Sequence, residues 1–420
     1  MLNFDNLPAL PAGLTDEKIY PVGFGTADDK EGENAGESLM RFVCNVPRYE
    51  FDEWAEKTAA VYGKAHKREE NEGVYIEFDT PDGIIYAYYI RHSREMRVII
   101  DKSGLSPSRL SDSEEGFEPV LIAQYGLYYG KMVRMVTSDC GMCYFIRLPD
   151  NRLIMVDGGE AEQCTEPAMK DILAVMRRLT QTENGGKIVI AAWLCTHAHD
   201  DHMDMFSKLI KEHKDKIEVQ RIVFNFPAHS VIEHNECVSR LKSRIKEYVP
   251  GAKYLKIHTG QSFTVCGVKV EALLTHEDIL PMRINRIYGG MNGTSTVFRI
   301  SDGTGSFIAL GDLQNEGALE LATRFVSPRL SCGFLQAAHH CINDVKDAYA
   351  AIDASRVLIP QAQADCRGRN IESYQAITSY NDEKDVFFAA DGTDIFLFDR
   401  PQAAPLHLPQ AGRPYDGSEY

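Results

Sequence analysis

Positions 194 to 206, LCTHAHDDHMDMF, concentrate titratable side chains directly after an apolar run. In an extended segment, side chains two residues apart point the same way, so His197 and His199 can reach one point. A turn into a helix near Asp201 and His202 then aims a carboxylate and an imidazole at a neighbouring point. Neutral imidazole and carboxylate are good ligands for zinc, manganese or iron. The spacing therefore predicts two metal ions that share a bridging water or hydroxide.

Two neighbouring aspartates have different expected roles. Asp200 is expected to point away from the site of Asp201, whereas Asp204 is a candidate for orienting a ligand histidine. A solvated loop with unrelated histidines is the alternative interpretation. Three histidines at this spacing after an apolar strand favour metal binding.

Further ligands for a two-metal site are available where other apolar strands end. Asp312 follows SFIALG and can bridge two metals, His339 and His340 follow FLQAA, and His276 follows ALLT. Asp157 ends NRLIMV, and we interpret it as a residue that supports the loop. A histidine or aspartate at a strand end is more often structural than ligating. The order of these residues after HxHxDH favours the metal site.

The size and composition of the chain restrict its class. A length of 420 residues suits two domains, and 44% hydrophobic with 25% charged residues is typical of a globular protein. The net charge of −16 argues against avid, non-specific nucleic-acid binding. No apolar run reaches a transmembrane length, and the N-terminus does not resemble a signal peptide. We therefore expect a cytoplasmic protein without a membrane partner.

The first 115 residues are predicted to form a small α/β domain with an irregular lead-in and a linker. Positions 1 to 36 are rich in Pro, Gly, Asp and Glu, which predicts irregular structure. A strand at 38–46 and a helix at 49–63 follow. Three β-rich runs then end near Asp101, and the first two are joined by the turn signal Pro-Asp-Gly. Nothing in this domain carries chemistry; it either caps the second domain, gates substrate or binds a partner.

The second domain, residues 120 to 400, alternates strand-rich stretches with helices. The clearest elements are a helix at 166–181 and a buried strand within KIVIAAWLCTH. The pattern predicts layers with sheets inside and helices outside. Residues 401 to 420 are predicted to form a disordered tail.

The order of these motifs resembles the metallo-β-lactamase superfamily. HxHxDH, then a strand-end aspartate, then a late histidine is the pattern of that family. The similarity spans about residues 120 to 398 and is greatest to the soluble hydrolase domain of DNA-uptake competence proteins. It implies an α+β, four-layer αββα sandwich with metals at the sheet edge. The metal ligands that it implies are His197, His199, Asp201, His202, Asp312 and His340.

The sequence departs from the family pattern at two places. Where many members carry another histidine, this chain has NGTS, with Asn292 or Ser295 at that place, and His276 upstream is the other candidate to complete the first metal site. The alternatives are a weakly held first metal or a single metal. Competence-type nucleases carry HHGS, whereas this chain has HHCIND. We favour His340 as the ligand, which leaves His339 to flank the substrate.

The resemblance implies a metal-dependent hydrolase that uses a metal-bound hydroxide on a phosphodiester or ester-type substrate. Flavin-linked di-iron members place a glutamate where this chain has His199, so a hydrolase with zinc or manganese is preferred to an oxygen or nitric oxide reductase. Two divalent metals are expected, with zinc preferred to manganese or iron. Asp201 would anchor one metal and orient the hydroxide, and His339 or His276 would protonate the leaving group. The acidic charge favours a small or short substrate. The alternative is a binding or sensing protein with a degenerate site; the oligomeric state stays open.

Overall fold

The computed structural model describes residues 2–11, 14–21, 38–102, 106–126, 141–160, 164–182, 185–227, 237–283, 290–343 and 345–409. Within these ranges the strands form three sheets of six, nine and seven strands. No helix in the described ranges is both long enough and apolar enough to cross a membrane.

The N-terminal part is an antiparallel sheet of six strands with one helix. Its elements are β1 (Leu14–Pro21), β2 (Ser38–Cys44), α1 (Arg48–Tyr62), β3 (His66–Glu69), β4 (Gly73–Thr80), β5 (Gly83–Ile90) and β6 (Glu95–Asp101). The strand order is β1-β2-β6-β5-β4-β3. The Pro-Asp-Gly turn joins β4 and β5 as predicted. Gly83 is required there, because a Cβ would lie 2.3 Å from the backbone oxygen of Asp101.

The prediction that the N-terminal residues are irregular is wrong at strand β1. The composition of residues 1 to 36 predicts irregular structure, yet β1 pairs with β2 along the edge of the sheet, with a register shift between Thr15 and Ile19. Its sequence, LTDEKIYP, has three charged residues and a proline, so it carries little strand signal by itself. Pairing with β2 stabilises the extended conformation, which the low strand propensity of this segment does not favour by itself.

Both faces of the N-terminal sheet are buried. Helix α1 packs on one face, where Phe51 and Trp54 are buried against the sheet. The opposite face carries Tyr86 and Tyr88 and faces the second part of the chain. The Tyr86 hydroxyl donates to the backbone oxygen of Thr259 at 2.7 Å. The sheet therefore packs on the remainder of the protein through polar as well as apolar contacts.

The second part contains the nine-stranded and seven-stranded sheets. The nine-stranded sheet and its helices comprise β7 (Leu121–Gln124), β8 (Cys143–Arg147), β9 (Leu153–Asp157), α2 (Glu166–Thr180), β10 (Ile188–Leu194), α3 (Asp200–His213), β11 (Ile217–Val219), β12 (Arg221–Phe224), α4 (Cys237–Tyr248), β13 (Lys253–Lys256), β21 (Thr393–Leu397) and β22 (Leu406–Leu408). The seven-stranded sheet and its helices comprise β14 (Ser262–Val265), β15 (Val268–Leu274), α5 (His276–Arg283), β16 (Val297–Ser301), β17 (Ser306–Ala309), α6 (Asn315–Arg324), β18 (Cys332–Gln336), α7 (Lys346–Ala351), β19 (Ala354–Ile359), α8 (Gln363–Arg367), α9 (Ile371–Thr378) and β20 (Val386–Phe388).

Three hydrophobic cores define the order of the layers. One core joins α2, α3 and α4 to the outer face of the nine-stranded sheet, around Trp193 and Phe206. A second core lies between the two sheets and includes Leu194 and Phe298. A third joins the seven-stranded sheet to α6, α7 and α9, around Ile308 and Leu321. The order is helix, sheet, sheet, helix, which confirms the predicted α+β αββα sandwich.

Parallel pairing in each sheet brings polar chain segments to one edge. Strand β9 runs parallel to β10, and β17 runs parallel to β18. The carboxyl ends of parallel neighbours lie at the same edge of a sheet, where ligands bind in open α/β sheets. Asp157, the HxHxDH segment, Asp312 and His340 all lie at or just beyond these ends.

The prediction of a disordered tail from residue 401 is wrong for the first nine of its residues. Residues 401 to 409 are described, and β22 within them pairs with β21. The apolar run KMVRMVT at 131–137 predicts a strand, and His229 and His234 are predicted to lie in a loop after FNFP; all of these residues lie outside the described ranges.

His258 links the N-terminal sheet to the sandwich. Its Nδ1 lies 2.6 Å from Glu277 Oε1, and its Nε2 lies 3.0 Å from Asp101 Oδ2. Burial opposes protonation, but Glu277 and Asp101 outweigh it and raise the pKa of His258 to about 9. Tyr86 stacks on the ring, and Lys256 lies near the same Asp101. A buried imidazolium between two carboxylates therefore holds this interface together.

This network predicts a pH-dependent stability. Because the pKa of His258 rises on folding, its contribution is complete below about pH 6.5 and is lost as the pH rises through about 9. It amounts to a few kcal/mol at about 1.4 kcal/mol per pKa unit. Urea unfolding between pH 6 and 9.5 should show this decline in the wild type and a flatter profile in His258→Gln. His66→Gln, at a residue whose side chain is 72% exposed, is the control. Parallel profiles for the wild type and His258→Gln would exclude this role.

Candidate metal centre

The HxHxDH segment is positioned by a buried strand and a helix. Strand β10 is almost entirely buried, and the chain stays extended through His199, which has φ −111° and ψ 155°. Helix α3 begins at Asp200, next to the predicted turn into a helix. His197 and His202 are fully buried, whereas Asp201 is partly exposed. The segment therefore carries its side chains from the sheet edge into the first turn of α3.

Two histidines of this segment and Asp312 form the first ligand group. His197 Nε2 lies 3.0 Å from His199 Nδ1 and 3.7 Å from Asp312 Oδ2. One ligand atom from each of the three residues falls within 4.8 Å of the others. The pairing of His197 with His199 is the one that the two-residue spacing predicts.

The second ligand group contains Asp201, His202, Asp312 and His340. His202 Nε2 lies 3.2 Å from both Asp312 Oδ1 and His340 Nε2. His340 Nε2 lies 3.2 Å from Asp201 Oδ2. Asp312 thus offers Oδ2 to the first group and Oδ1 to the second. Its Oδ1 is buried without a hydrogen-bond partner among the described residues, so it is available to a cation.

The ring nitrogens that do not face the centre are held by other groups. Asp157 Oδ2 lies 2.8 Å from His202 Nδ1 and also accepts from the Thr196 hydroxyl. His340 Nδ1 lies 3.1 Å from the backbone oxygen of Pro360, and His197 Nδ1 lies 3.1 Å from Thr196 Oγ1. Ligand histidines in metalloproteins are oriented in this way, because the partner fixes both the tautomer and the ring. The donor set therefore fits two divalent cations.

The backbone around the centre is strained. His339, His340 and Cys341 have φ of 45°, 50° and 61°, a left-handed region that residues with a Cβ seldom occupy. The nitrogen of His339 donates to the backbone oxygen of Gly311 at 3.0 Å, which fixes this loop beside Asp312. Gly311 itself has φ +58°, and a Cβ there would lie 2.8 Å from the Cβ of Thr196. The fold thus accepts unfavourable backbone geometry where the two ligand groups meet.

The negative charge of the buried carboxylates at the centre favours the binding of cations. Burial opposes ionisation of Asp312, but His202, His339 and His340 lower its pKa well below the usual value. Burial likewise opposes protonation of His202, yet Asp312, Asp201 and Asp157 raise its pKa well above the usual value. The carboxylates of Asp312 and Asp201, whose pKa values are lowered, therefore stay ionised and draw positive charge into a buried space. Divalent cations supply that charge while leaving the imidazoles neutral.

His339 and Asn292 border the first ligand group. His339 Nε2 lies 3.0 Å from Asn292 Nδ2 and 3.5 Å from Asp312 Oδ2. Asn292 is therefore next to the centre, as the NGTS alignment of the resemblance implies. His276 lies elsewhere: its Nε2 is 3.0 Å from Asn225 Oδ1, and no described ligand group includes it.

The two neighbouring aspartates of α3 differ from the ligands. Asp200 is exposed and belongs to neither ligand group. Asp204 pairs with Arg244 at 3.2 Å, and its proposed role in orienting a ligand histidine stays a prediction. Asp157 does hold a ligand histidine, His202, and nothing in its sequence context separates it from a loop-supporting residue. The contributions of the Thr196 hydroxyl and of the Pro360 carbonyl were not found from sequence, because a single threonine has no distinctive spacing and a backbone oxygen carries no residue-type signal.

Comparisons with known proteins give limited similarity. No family model and no curated protein matches the sequence. Among solved structures, a mutant of CmlA beta-hydroxylase is 12% identical, with a TM-score of 0.36 over 82% of this chain and 77% of that one. Human tRNase Z, short form, is 13% identical, with a TM-score of 0.34 over 66% of this chain and 99% of that one.

A protein of unknown function from Enterococcus faecalis is 13% identical, with a TM-score of 0.29 over 52% of this chain and 49% of that one. At these values the assignment of the metallo-β-lactamase fold rests on the order of the layers and on the position of the His and Asp cluster. Both features are those that the resemblance implied.

Orientation of His202 by Asp157 can be tested with an isosteric change. Asp157→Asn places an amide against His202 Nδ1, which favours the tautomer whose Nε2 carries the proton and cannot bind a metal. We expect zinc affinity, measured by competition with a chromophoric chelator, to fall about tenfold to hundredfold. Asp204→Asn removes another buried carboxylate from the same region and should leave affinity unchanged. Equal affinities for the two variants would contradict the role of Asp157.

Proposed function

We propose that this chain is a metal-dependent hydrolase with two divalent cations, zinc being preferred to manganese or iron. The observation that carries the proposal is Asp312, whose two carboxylate oxygens belong to two different ligand groups. A carboxylate in this position lets two cations act on one substrate. Cations bound there would supply Lewis-acid activation of water and of a phosphoryl or ester centre.

Asp201 is proposed to orient the attacking water. Its side chain is 21% exposed, whereas those of His202 and Asp312 are at most 1% exposed, so it meets the solvent side of the second group. Burial opposes its ionisation, but His202 and His340 lower its pKa, which keeps the carboxylate ready to accept a hydrogen bond. A carboxylate that is ionised at neutral pH can position water and receive its proton.

His339 is proposed to protonate the leaving group. Its side chain is 16% exposed, and its Nε2 is held between Asn292 and Asp312. Its Nδ1 is buried without a hydrogen-bond partner among the described residues. The ring thus lies at the boundary between the ligand groups and solvent, where a leaving oxygen would emerge. His276 is not proposed as the proton donor, because it is fully buried against Asn225.

The substrate is proposed to be a small or short phosphodiester or ester. A cavity of about 530 Å³ has Gln314 and Ile342 in its wall, each two residues beyond Asp312 and His340. Its other polar lining includes Asn343 and Asn370. This volume suits a small ligand, and the net charge of −16 disfavours long nucleic-acid duplexes.

Asn292 supports one competing function. Asn292 borders the first ligand group, where the resemblance implies a histidine. A sensing or binding protein could keep the fold with a ligand group weakened in this way. Metal content separates the two functions. Mass spectrometry of the purified, zinc-reconstituted protein should find roughly two metal ions per chain if the hydrolase proposal holds. Reconstituted protein that holds no metal would exclude it.

Activity should depend on the ligand groups and not on their exposed neighbour. His199→Ala and Asp201→Asn are expected to lower turnover of bis(p-nitrophenyl) phosphate or p-nitrophenyl acetate at least about a hundredfold, because each removes a ligand. Asp200→Asn changes the same charge at the next position, where the side chain is exposed, and should retain activity. Circular dichroism checks that each variant is folded. Full activity in Asp201→Asn would refute the assignment.

A further inference from the structure

A second cavity lies between the N-terminal sheet and the sandwich. It has a volume of about 460 Å³ and is lined on one side by the chain near β4 and β5 and on the other by β16 and the chain around the end of α6. Its charged lining residues are Arg91, Arg299, Arg324, Arg329, His92 and Glu72. Four arginines against one carboxylate make this a local basic cavity in a chain of net charge −16.

Three of these arginines are partly neutralised by carboxylates outside the cavity lining. Arg324 Nη2 lies 2.7 Å from Asp278 Oδ1 and 2.6 Å from Glu320 Oε1, and Arg329 Nη2 lies 2.7 Å from Glu271 Oε1. Within the lining itself, Arg329 Nε also lies 3.5 Å from Glu72 Oε1. Arg91 pairs with Glu69. These contacts hold the guanidinium groups in place, so the cavity is preorganised.

Arg299 has no such partner. No described carboxylate lies within ion-pair distance of it, and its Nη1 donates to the backbone oxygens of Arg329 and Ser331 at 2.8 and 3.1 Å. Burial and the neighbouring charge of Arg329 lower its pKa. A guanidinium held by neutral carbonyls beside another guanidinium is a strong site for an added anion.

Arg324 provides an independent observation. Its side chain is fully buried, and its Nη1 has no hydrogen-bond partner among the described residues. A buried charged donor without a partner is costly, and most such donors in proteins are satisfied. The donor set of the cavity is therefore incomplete.

We propose that this cavity binds a phosphate group, supplied either by inorganic phosphate or by a phosphate monoester. Arginine forks bind the oxygens of tetrahedral oxyanions in pairs, and several converging arginines distinguish a dianion from a single carboxylate. The volume accommodates a phosphate with a small organic substituent. The ligand would bridge the N-terminal sheet and the sandwich, because the arginines come from both.

The cavity is separate from the metal centre. Helix α6 begins three residues after Asp312 and ends at Arg324, so the two sites lie at opposite ends of this helix. Ten helical residues span about 15 Å. A phosphate bound at Arg324 therefore would not touch the ligand groups.

Calorimetric titration with inorganic phosphate, and separately with phenyl phosphate, tests the site at constant ionic strength. Arg299→Gln is expected to weaken binding about tenfold or more, because it removes a charged donor. Arg400→Gln is the matched control, since its side chain is 72% exposed and outside the cavity. Each variant is measured alone and in a His199→Ala background, so that phosphate at the metal centre contributes equally to each pair.

Arg91→Gln is a second variant from the other wall, with a side chain that is 38% exposed, in case Arg299→Gln does not fold. Weaker binding of either probe in a cavity variant, with binding kept in Arg400→Gln, supports the proposal, and the probe that binds more tightly identifies the source. The proposal would be overturned if Arg299→Gln, Arg91→Gln and Arg400→Gln had indistinguishable affinities. It would also be overturned if the His199→Ala protein, with its cavity unchanged, bound neither probe.

Discussion

The structure of the centre depends on one buried carboxylate, that of Asp312, which two ligand groups share. Its Oδ1 and Oδ2 face different imidazoles, and its backbone nitrogen donates to Ser295 Oγ at 3.0 Å. A buried carboxylate is tolerable only when positive charge surrounds it. The imidazoles supply that charge only if they are protonated, and divalent cations supply it without protonation. The position of this side chain therefore determines what the whole sheet edge can hold.

Placing that carboxylate costs backbone free energy at several residues. Asp157 and the residues from His339 to Cys341 have left-handed φ, and residues with a Cβ meet a steric penalty there. At position 341 the chain carries a buried cysteine, which meets this penalty, whereas a glycine would avoid it. The loop is retained because Gly311, Tyr349 and Pro360 hold it with hydrogen bonds. The strain is localised where the imidazoles must converge.

The N-terminal sheet is joined to the sandwich by charge as well as by apolar packing. Arg97 is completely buried, and its guanidinium donates to the backbone oxygens of Glu277 and Asp278. Asp278 also accepts from Tyr88 and Arg324. Buried ionic groups specify one docking geometry, because any displacement leaves a charge without a partner. The same arrangement holds the arginines of the basic cavity at the boundary between the two parts.

Local sequence pattern was sufficient to predict the elements and the chemistry that depend on neighbouring residues. Apolar periodicity located α1, α2 and β10, and HxHxDH placed His197 with His199 because side-chain direction in an extended segment follows from spacing alone. The remaining features emerged from the folded chain. In the folded protein Asp157 holds His202, His276 lies away from the centre, and residues 14–21 form the strand β1. These outcomes depend on which distant segments meet, and no local pattern encodes the hydrogen-bond partner that folding brings from a segment distant in sequence.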